Sequence, residues 1–347
     1  MYETKNYYVS GNTANGFINL LPTNIEDIKK VIVLHHDSDV VKTMIFNQII
    51  ALMKGKGALE IIHCPSEKKN KEGVIMRDES VAVIADQLVY SGIRVTKQID
   101  CGDFIAVQYD GVNAKLRSEK YRKDAFYSFK QALNTHDDLE AIYINKMDFV
   151  KADQIVNNVI TKLLHSAPQK DREATVYRRF FGTTTAAGPE NKLADIIKDI
   201  SHRVYIKGRA GTGKSFFMKK VADACEENGL TVERYHCSFD PDSIDMVLVP
   251  ELDFCIFDST APHEIFPERD GDSIIDLYEH TVMKGTDEKY ANEIHNITKK
   301  YQDLLKEGVR HLKKAEQYQA EIEYEYTDVT DEMINNITKK VYKHMIE

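Results

Sequence analysis

The 347-residue sequence predicts an α/β protein of two tandem Rossmann-like domains, each a mostly parallel sheet followed by a long helical region. Three observations predict it. A glycine-rich loop at Gly208–Ser215 stands between a short β-type run and an amphipathic helix. The chain repeats its anchor residues at a near-constant offset. Each repeat then ends in a long polar stretch with helical periodicity.

Val204-Tyr205-Ile206 is the β-type run. Gly208-Arg209-Ala210-Gly211-Thr212-Gly213-Lys214-Ser215 follows it, a full G-x-x-x-x-G-K-S pattern, and Phe216 continues into the helix. Glycines at these places let main-chain N–H groups turn inward around phosphate oxygens. Lys214 is placed to reach the β- and γ-phosphates, and the Ser215 hydroxyl to ligate Mg²⁺. Phe217, Val221 and Ala224/Cys225 recur at helical spacing until Asn228-Gly229 closes the helix. An anion therefore meets a helix N-terminus. The expected ligand is a nucleoside triphosphate with Mg²⁺, in a P-loop NTPase-like domain.

The repeat is read from several anchors in one register. His63-Cys64 returns as His236-Cys237, and Glu79–Asp86 aligns with Glu251–Asp258. Tyr8 to Gly16 aligns with Phe180 to Gly188, and Asn157–Lys162 echoes Asn335–Lys340. The join is placed near Ser166-Ala167-Pro168-Gln169-Lys170-Asp171, giving domains 1–168 and 169–347. The first copy has His36, Asp39 and Val41 where the second has Gly208, Gly211 and Gly213, although Lys42-Thr43 align with Lys214-Ser215. Without the glycines the backbone does not close around a phosphate, and Asp37 and Asp39 repel one. A degenerate, nucleotide-free first copy and a single site in the second are expected.

Candidate chemistry gathers after the loop. Phe254-Cys255-Ile256-Phe257-Asp258 is an apolar strand ending in an acid, the expected second holder of Mg²⁺, with Asp86 aligned to Asp258 in the first copy. Ser259 follows where fast ATPases place a Glu, which points to slow hydrolysis, switching or transfer. Glu264 and Glu251 remain as substitutes. In Phe239-Asp240-Pro241-Asp242-Ser243-Ile244-Asp245, Asp240 or Asp242 suits a base that activates an acceptor hydroxyl. The same residues also suit an ordinary turn and cap. His236, Cys237 and His263 do not make a metal site, because adjacent strand residues point to opposite faces and no zinc spacing is present. His263 and Arg269 are placed either to meet a γ-phosphate or in a solvated loop.

Tyr290, Ile294, Ile297, Tyr301 and Leu304 alternate steps of four and three, a coiled-coil-like seam, with Gly308 as a candidate bend. Two uses are open: a helical hairpin packed on its own domain, or an arm that meets a protein partner or a second subunit in a homodimer. A net charge of −9 argues against nucleic acid. No apolar run approaches a bilayer span, and Met1–Asn6 has no apolar signal core. Five scattered cysteines suggest reduced thiols and a cytoplasmic protein.

Tyr205-Ile206-Lys207-Gly208 through Lys214-Ser215, His236-Cys237 with Asp240-Pro241-Asp242-Ser243, Val249-Pro250-Glu251-Leu252, and Phe257 through Pro262-His263 are the residues that carry a resemblance. Together they resemble an uncharacterised family of bacterial tandem-repeat P-loop proteins, generically called ATPases or nucleotide kinases. The resemblance covers nearly the whole chain and implies a P-loop fold and ATP binding. In that family the first copy usually carries a glycine-rich loop too, from which His36-Asp37-Ser38-Asp39 departs. ATP rather than GTP is expected from the resemblance and from reading no N-K-x-D guanine signature in the chain. Three functions stand: an ATP-binding NTPase with slow hydrolysis, a nucleotide or small-molecule kinase, and a non-catalytic nucleotide-sensing interaction protein.

Overall fold

Short apolar runs separated by turn residues build the same sheet twice. A computed structural model describes residues 4–105, 112–165, 167–168, 170–261 and 263–347; Ser166 and Gln169 of the join, and Pro262, lie outside the described residues. The first half contains β1 (Thr4–Tyr7), β2 (Ser10–Thr13), β3 (Gly16–Asn19), β4 (Lys30–His35), α1 (Asp39–Met53), β5 (Leu59–His63), β6 (Lys71–Met76), β7 (Val81–Ala85) and β8 (Lys97–Asp100). Two helices follow, α2 (Val112–Ile144) and α3 (Phe149–Leu164). The second half contains β9 (Val176–Phe180), β10 (Gly182–Thr185), β11 (Gly188–Asn191), α4 (Leu193–Ile196), β12 (His202–Lys207), α5 (Lys214–Glu227), β13 (Val232–His236), β14 (Ile244–Val249), β15 (Phe254–Asp258) and β16 (Ser273–Asp276). It ends with α6 (Leu277–Thr281), α7 (Thr286–Lys289), α8 (Ala291–Tyr324) and α9 (Asp331–Ile346).

The strand orders are β1-β5-β6-β7-β4-β8 and β9-β13-β14-β15-β12-β16, so the two sheets share one topology. Only β6 and β14 run against their neighbours. The chain is thus α/β with two mostly parallel six-stranded sheets, and the internal repeat is a repeat of topology. Apolar residues on successive strand positions serve opposite faces. Val31 and Val33 join Tyr205 and Phe257 in one core shared by both sheets, while Ile32 and Leu34 pack under α1 and Ile206 and Ile256 pack under α5.

The helices are exchanged. Ile334, Ile337, Val341 and Met345 of α9 lie in the core of the first sheet, beside Val41, Ile45 and Ile49 of α1. Val156 of α3 lies in the core of the second sheet, with Phe217 and Val221 of α5. Each copy's last helix therefore covers the other copy, which differs from a hairpin resting on its own domain. The seam residues of α8 are used within the chain: α2 and α8 lie antiparallel, with the Ser118 hydroxyl donating to the Ala315 carbonyl at 3.0 Å and His136 against Tyr301 at 5.3 Å. Gly308 is not a bend. α8 runs through it, and it is buried where Phe129 of α2 needs room.

Candidate functional site

β12 and β15 are parallel neighbours, with Ile206 opposite Asp258. The loop after β12 and the acid at the end of β15 therefore emerge side by side. Lys214 Nζ lies 3.6 Å from Asp258 Oδ2 and donates to the carbonyls of Arg209 at 2.9 Å and Gly208 at 3.4 Å. Gly211 and Gly213 have φ of 70° and 79°, the left-handed region that glycine tolerates. A side chain on Gly211 would stand 2.5 Å from the Glu140 carbonyl, and one on Gly208 would stand 2.4 Å from Thr212 Oγ1. Thr212 Oγ1 in turn donates to the Arg209 carbonyl at 2.8 Å. Ala210 is half-buried and Phe216 exposed, with Lys220 Nζ 4.9 Å from the Phe216 ring centroid.

The first main-chain bond into α5 runs from Phe217 N–H to the Gly213 carbonyl at 2.9 Å. That leaves the N–H groups of Lys214, Ser215 and Phe216 as helix-terminus donors without an acceptor among the described residues. The loop can present them, with the Lys214 ammonium, to an anion.

The acid missing from the sequence-based list is Asp245. The β14–β15 register sets Met246 opposite Phe257, which brings Asp245 beside Asp258. Burial, then the Asp258 carboxylate, push Asp245 up to about 7. Ser215 Oγ accepts from the main-chain N–H of Ile244, the residue before Asp245, at 2.8 Å. A hydroxyl and two carboxylates form a hard-oxygen set of the kind Mg²⁺ prefers. Asp245 was legible as an acid opening the apolar run Met246–Val249, the mirror of Asp258 closing its own. Asp240 instead caps its turn, accepting from Ser243 Oγ at 2.6 Å and Asp242 N–H at 3.3 Å. Asp242 is exposed and faces Asn15 of the first copy at 3.5 Å.

The remaining candidates have other work. Ser259 is buried and donates to the Ile265 carbonyl, and Glu264 pairs with Lys207 at 3.0 Å. Glu251 sits before β15, beyond the opposite end from Asp258, and binds Lys170 and Arg172. His236 Nδ1 bonds the Pro241 carbonyl at 2.7 Å, and its Nε2 accepts from Arg178 Nε at 3.0 Å. That arrangement fixes a neutral imidazole. His263 packs edge-on against Phe181 at 4.8 Å, and Arg269 donates to the Lys198 carbonyl.

In the first copy, α1 starts at Asp39, ahead of Lys42, and its free donors are already taken. Glu323 of α8 accepts from the N–H groups of Asp39 at 2.8 Å and Val40 at 3.4 Å, and from the Ser38 hydroxyl. Lys42 bonds Asp86 and Gln87 at 2.8 Å each and pairs with Asp39 at 3.1 Å. The alignment of Asp86 with Asp258 needs correcting. Leu34 stands opposite Ala85 as Ile206 stands opposite Asp258, so Ala85 is the counterpart and Asp86 lies one residue on. The second copy has gained one residue between its loop strand and β13, which shifts every later strand.

Residues 145–148 read Asn-Lys-Met-Asp, so the chain does contain an N-K-x-D sequence and the reading that it lacks one is wrong. The structure carries it to the second-copy loop. Met147 pairs in antiparallel fashion with Val282, the Met283 N–H donates to the Lys146 carbonyl at 3.0 Å, and the Asp148 N–H donates to the Thr281 carbonyl at 2.7 Å. Met147 Cε would lie 3.5 Å from a side chain on Gly213. Arg209 of the loop pairs with Asp287 at 3.0 Å, and Asp287 accepts from the Tyr143 hydroxyl of α2 at 2.9 Å.

Comparison with family models, curated proteins and solved structures finds no match to this chain. Among the described residues no helix is long and apolar enough to cross a membrane.

Proposed function

We propose that the second copy binds a nucleoside triphosphate with Mg²⁺ at Gly208–Ser215 and hydrolyses it slowly. The observation that carries this reading is the set of N–H donors without an acceptor among the described residues on the first turn of α5, with the Lys214 ammonium and directly after left-handed Gly211 and Gly213. Lys214 would neutralise phosphate charge, and Ser215, Asp258 and Asp245 would hold the metal, which supplies charge stabilisation for the transferred phosphoryl group. Ser259, buried and bonded to Ile265, stands in the chain position after Asp258 where a water-orienting Glu would be expected. ATP is the nucleotide that the resemblance to tandem P-loop proteins implies. The kinase reading loses support at Asp240, whose carboxylate is occupied as a cap.

Phosphate release from Mg·ATP and Mg·GTP, measured for wild type and Lys214→Ala side by side, tests it. Slow release that vanishes in the variant is expected. Release that persists without Lys214 would place the chemistry elsewhere, and none in either protein would leave a sensor.

A further inference from the structure

We propose that Asn145-Lys146-Met147-Asp148 reads the base of the nucleotide held by Gly208–Ser215, and that the base is guanine; this rests on the nucleotide reading above. The segment belongs to the first half of the chain, in the connection between α2 and α3. It is nevertheless stapled to Thr281–Met283 of the second half, with Met147 against Gly213 of the loop. α3 then packs on α5, where Asp153 pairs with Lys220 at 2.6 Å and Lys220 lies over the exposed Phe216 ring. Asp148 caps the start of α3 next to Met147, which lies against Gly213, and Phe216 offers an exposed aromatic ring on the first turn of α5.

The chemistry of that segment suits one base. Guanine presents two adjacent donors, N1–H and the N2 amine, on its pairing edge, and a carboxylate accepts both. Adenine turns the N1 lone pair to the same place and is repelled. Asp148 is exposed, and among the described residues only Oδ1 is engaged, accepting from the Lys151 N–H at 3.0 Å. Its remaining lone pairs are open to a ligand.

The first copy supplies an independent sign that this junction serves the loop. There the end of α8, the repeat of the end of α2, delivers the Glu323 carboxylate onto the loop N–H groups. Both helix ends thus reach the loop of the opposite copy, and in the first copy the helix end supplies a carboxylate to it. In the first copy that group fills the loop, and in the second the N-K-x-D segment stands at its edge.

Equilibrium binding of Mg·GTP, Mg·ATP and Mg·XTP to the full-length protein and to Asp148→Asn tests the proposal. Asn caps a helix as well as Asp does, so α3 keeps its start. Wild type is expected to favour GTP over ATP by about tenfold or more, the discrimination of a paired hydrogen bond. Asp148→Asn should weaken GTP by a similar factor and strengthen XTP, whose C2 carbonyl accepts from the new amide. Equal or tighter ATP binding by wild type would overturn it. So would a variant that binds GTP as wild type does and gains no XTP, which would mark Asp148 as a helix cap only. Failure of wild type to bind any of the three would remove the nucleotide reading itself, and this proposal with it.

Discussion

Tyr8 and Phe180 exchange both of their main-chain hydrogen bonds: the Tyr8 N–H donates to the Phe180 carbonyl at 3.0 Å, and the Phe180 N–H donates to the Tyr8 carbonyl at 2.8 Å. The two residues are counterparts in the repeat, so an approximate two-fold axis passes between them. Asn12 obeys the same relation, donating to the carbonyl of its own counterpart Thr184 at 3.4 Å. The chain is built like a symmetric dimer joined into one polypeptide, with exchanged helices at its ends.

Arg179 sits near that axis, fully buried, between Glu60 of the first copy at 2.9 Å and Glu233 of the second at 2.8 Å. Arg179→Met leaves Glu60 with Arg77 alone and Glu233 with Lys5 alone, removes the buried cation that joins them, and should cost about 3 kcal/mol in urea unfolding. Burial alone would raise the Glu233 carboxyl, but Arg179 and then Lys5 hold it down to about 2. A depressed carboxylate stabilises the fold above its unfolded value of 4.5, and the contribution fades as pH falls from there towards 2. The acid limb of wild type should therefore steepen below pH 4.5. An unchanged limb in Arg179→Met would remove the network from the explanation.

His236 gives a second pH signature in a different window. Burial, then Arg178, pull it down from 6.5 to about 4, so the folded chain refuses a proton that the unfolded chain accepts. Stability should fall as pH drops from 6.5 to about 4. His236→Gln should flatten that stretch of a thermal-midpoint profile, and an identical slope in the variant would count against the assignment.

Gly308→Ala would set a methyl group 2.3 Å from Phe129 Cε1. Helix propensity favours Ala by up to about 1 kcal/mol, but overpacking costs about 1–3 kcal/mol. The clash is with a ring held between two helices, so a net loss is expected in chemical denaturation. Phe129→Leu should restore it. A variant as stable as wild type would show that α2 and α8 part readily.

Ile337→Ala tests the helix exchange. Ile337 is fully buried in the core of the first sheet although it lies at the end of the second half. The loss should be about 2–5 kcal/mol, with hydrogen exchange rising first in α1 and β4. Exchange rising instead in α5 and β12 would mean that α9 covers its own copy.

Much of this was legible in the sequence for physical reasons. Left-handed Gly211 and Gly213 are demanded by the backbone path, and their absence at Asp39 and Val41 foretells a different helix start. The repeat was legible because apolar strand cores and the His-Cys pairs recur in register. The crossing of α3 and α9 was not, because an apolar stripe says that a helix is covered and not which sheet covers it. Asp86 was misplaced by a single added residue upstream, which moves the alignment of a later strand by one position without disturbing its composition. Asp245 was hidden among nearer acids; only the β14–β15 register separates it from the turn residues Asp240 and Asp242.

The central claim is a single nucleotide site, in the second copy. The most direct measurement is the stoichiometry of Mg²⁺-nucleotide binding to wild type, Lys214→Ala and Lys42→Ala by titration calorimetry. The account predicts one nucleotide per chain, lost in Lys214→Ala and retained in Lys42→Ala, because Glu323 already fills the first loop. Two sites per chain, or binding that survives Lys214→Ala and disappears in Lys42→Ala, would contradict it.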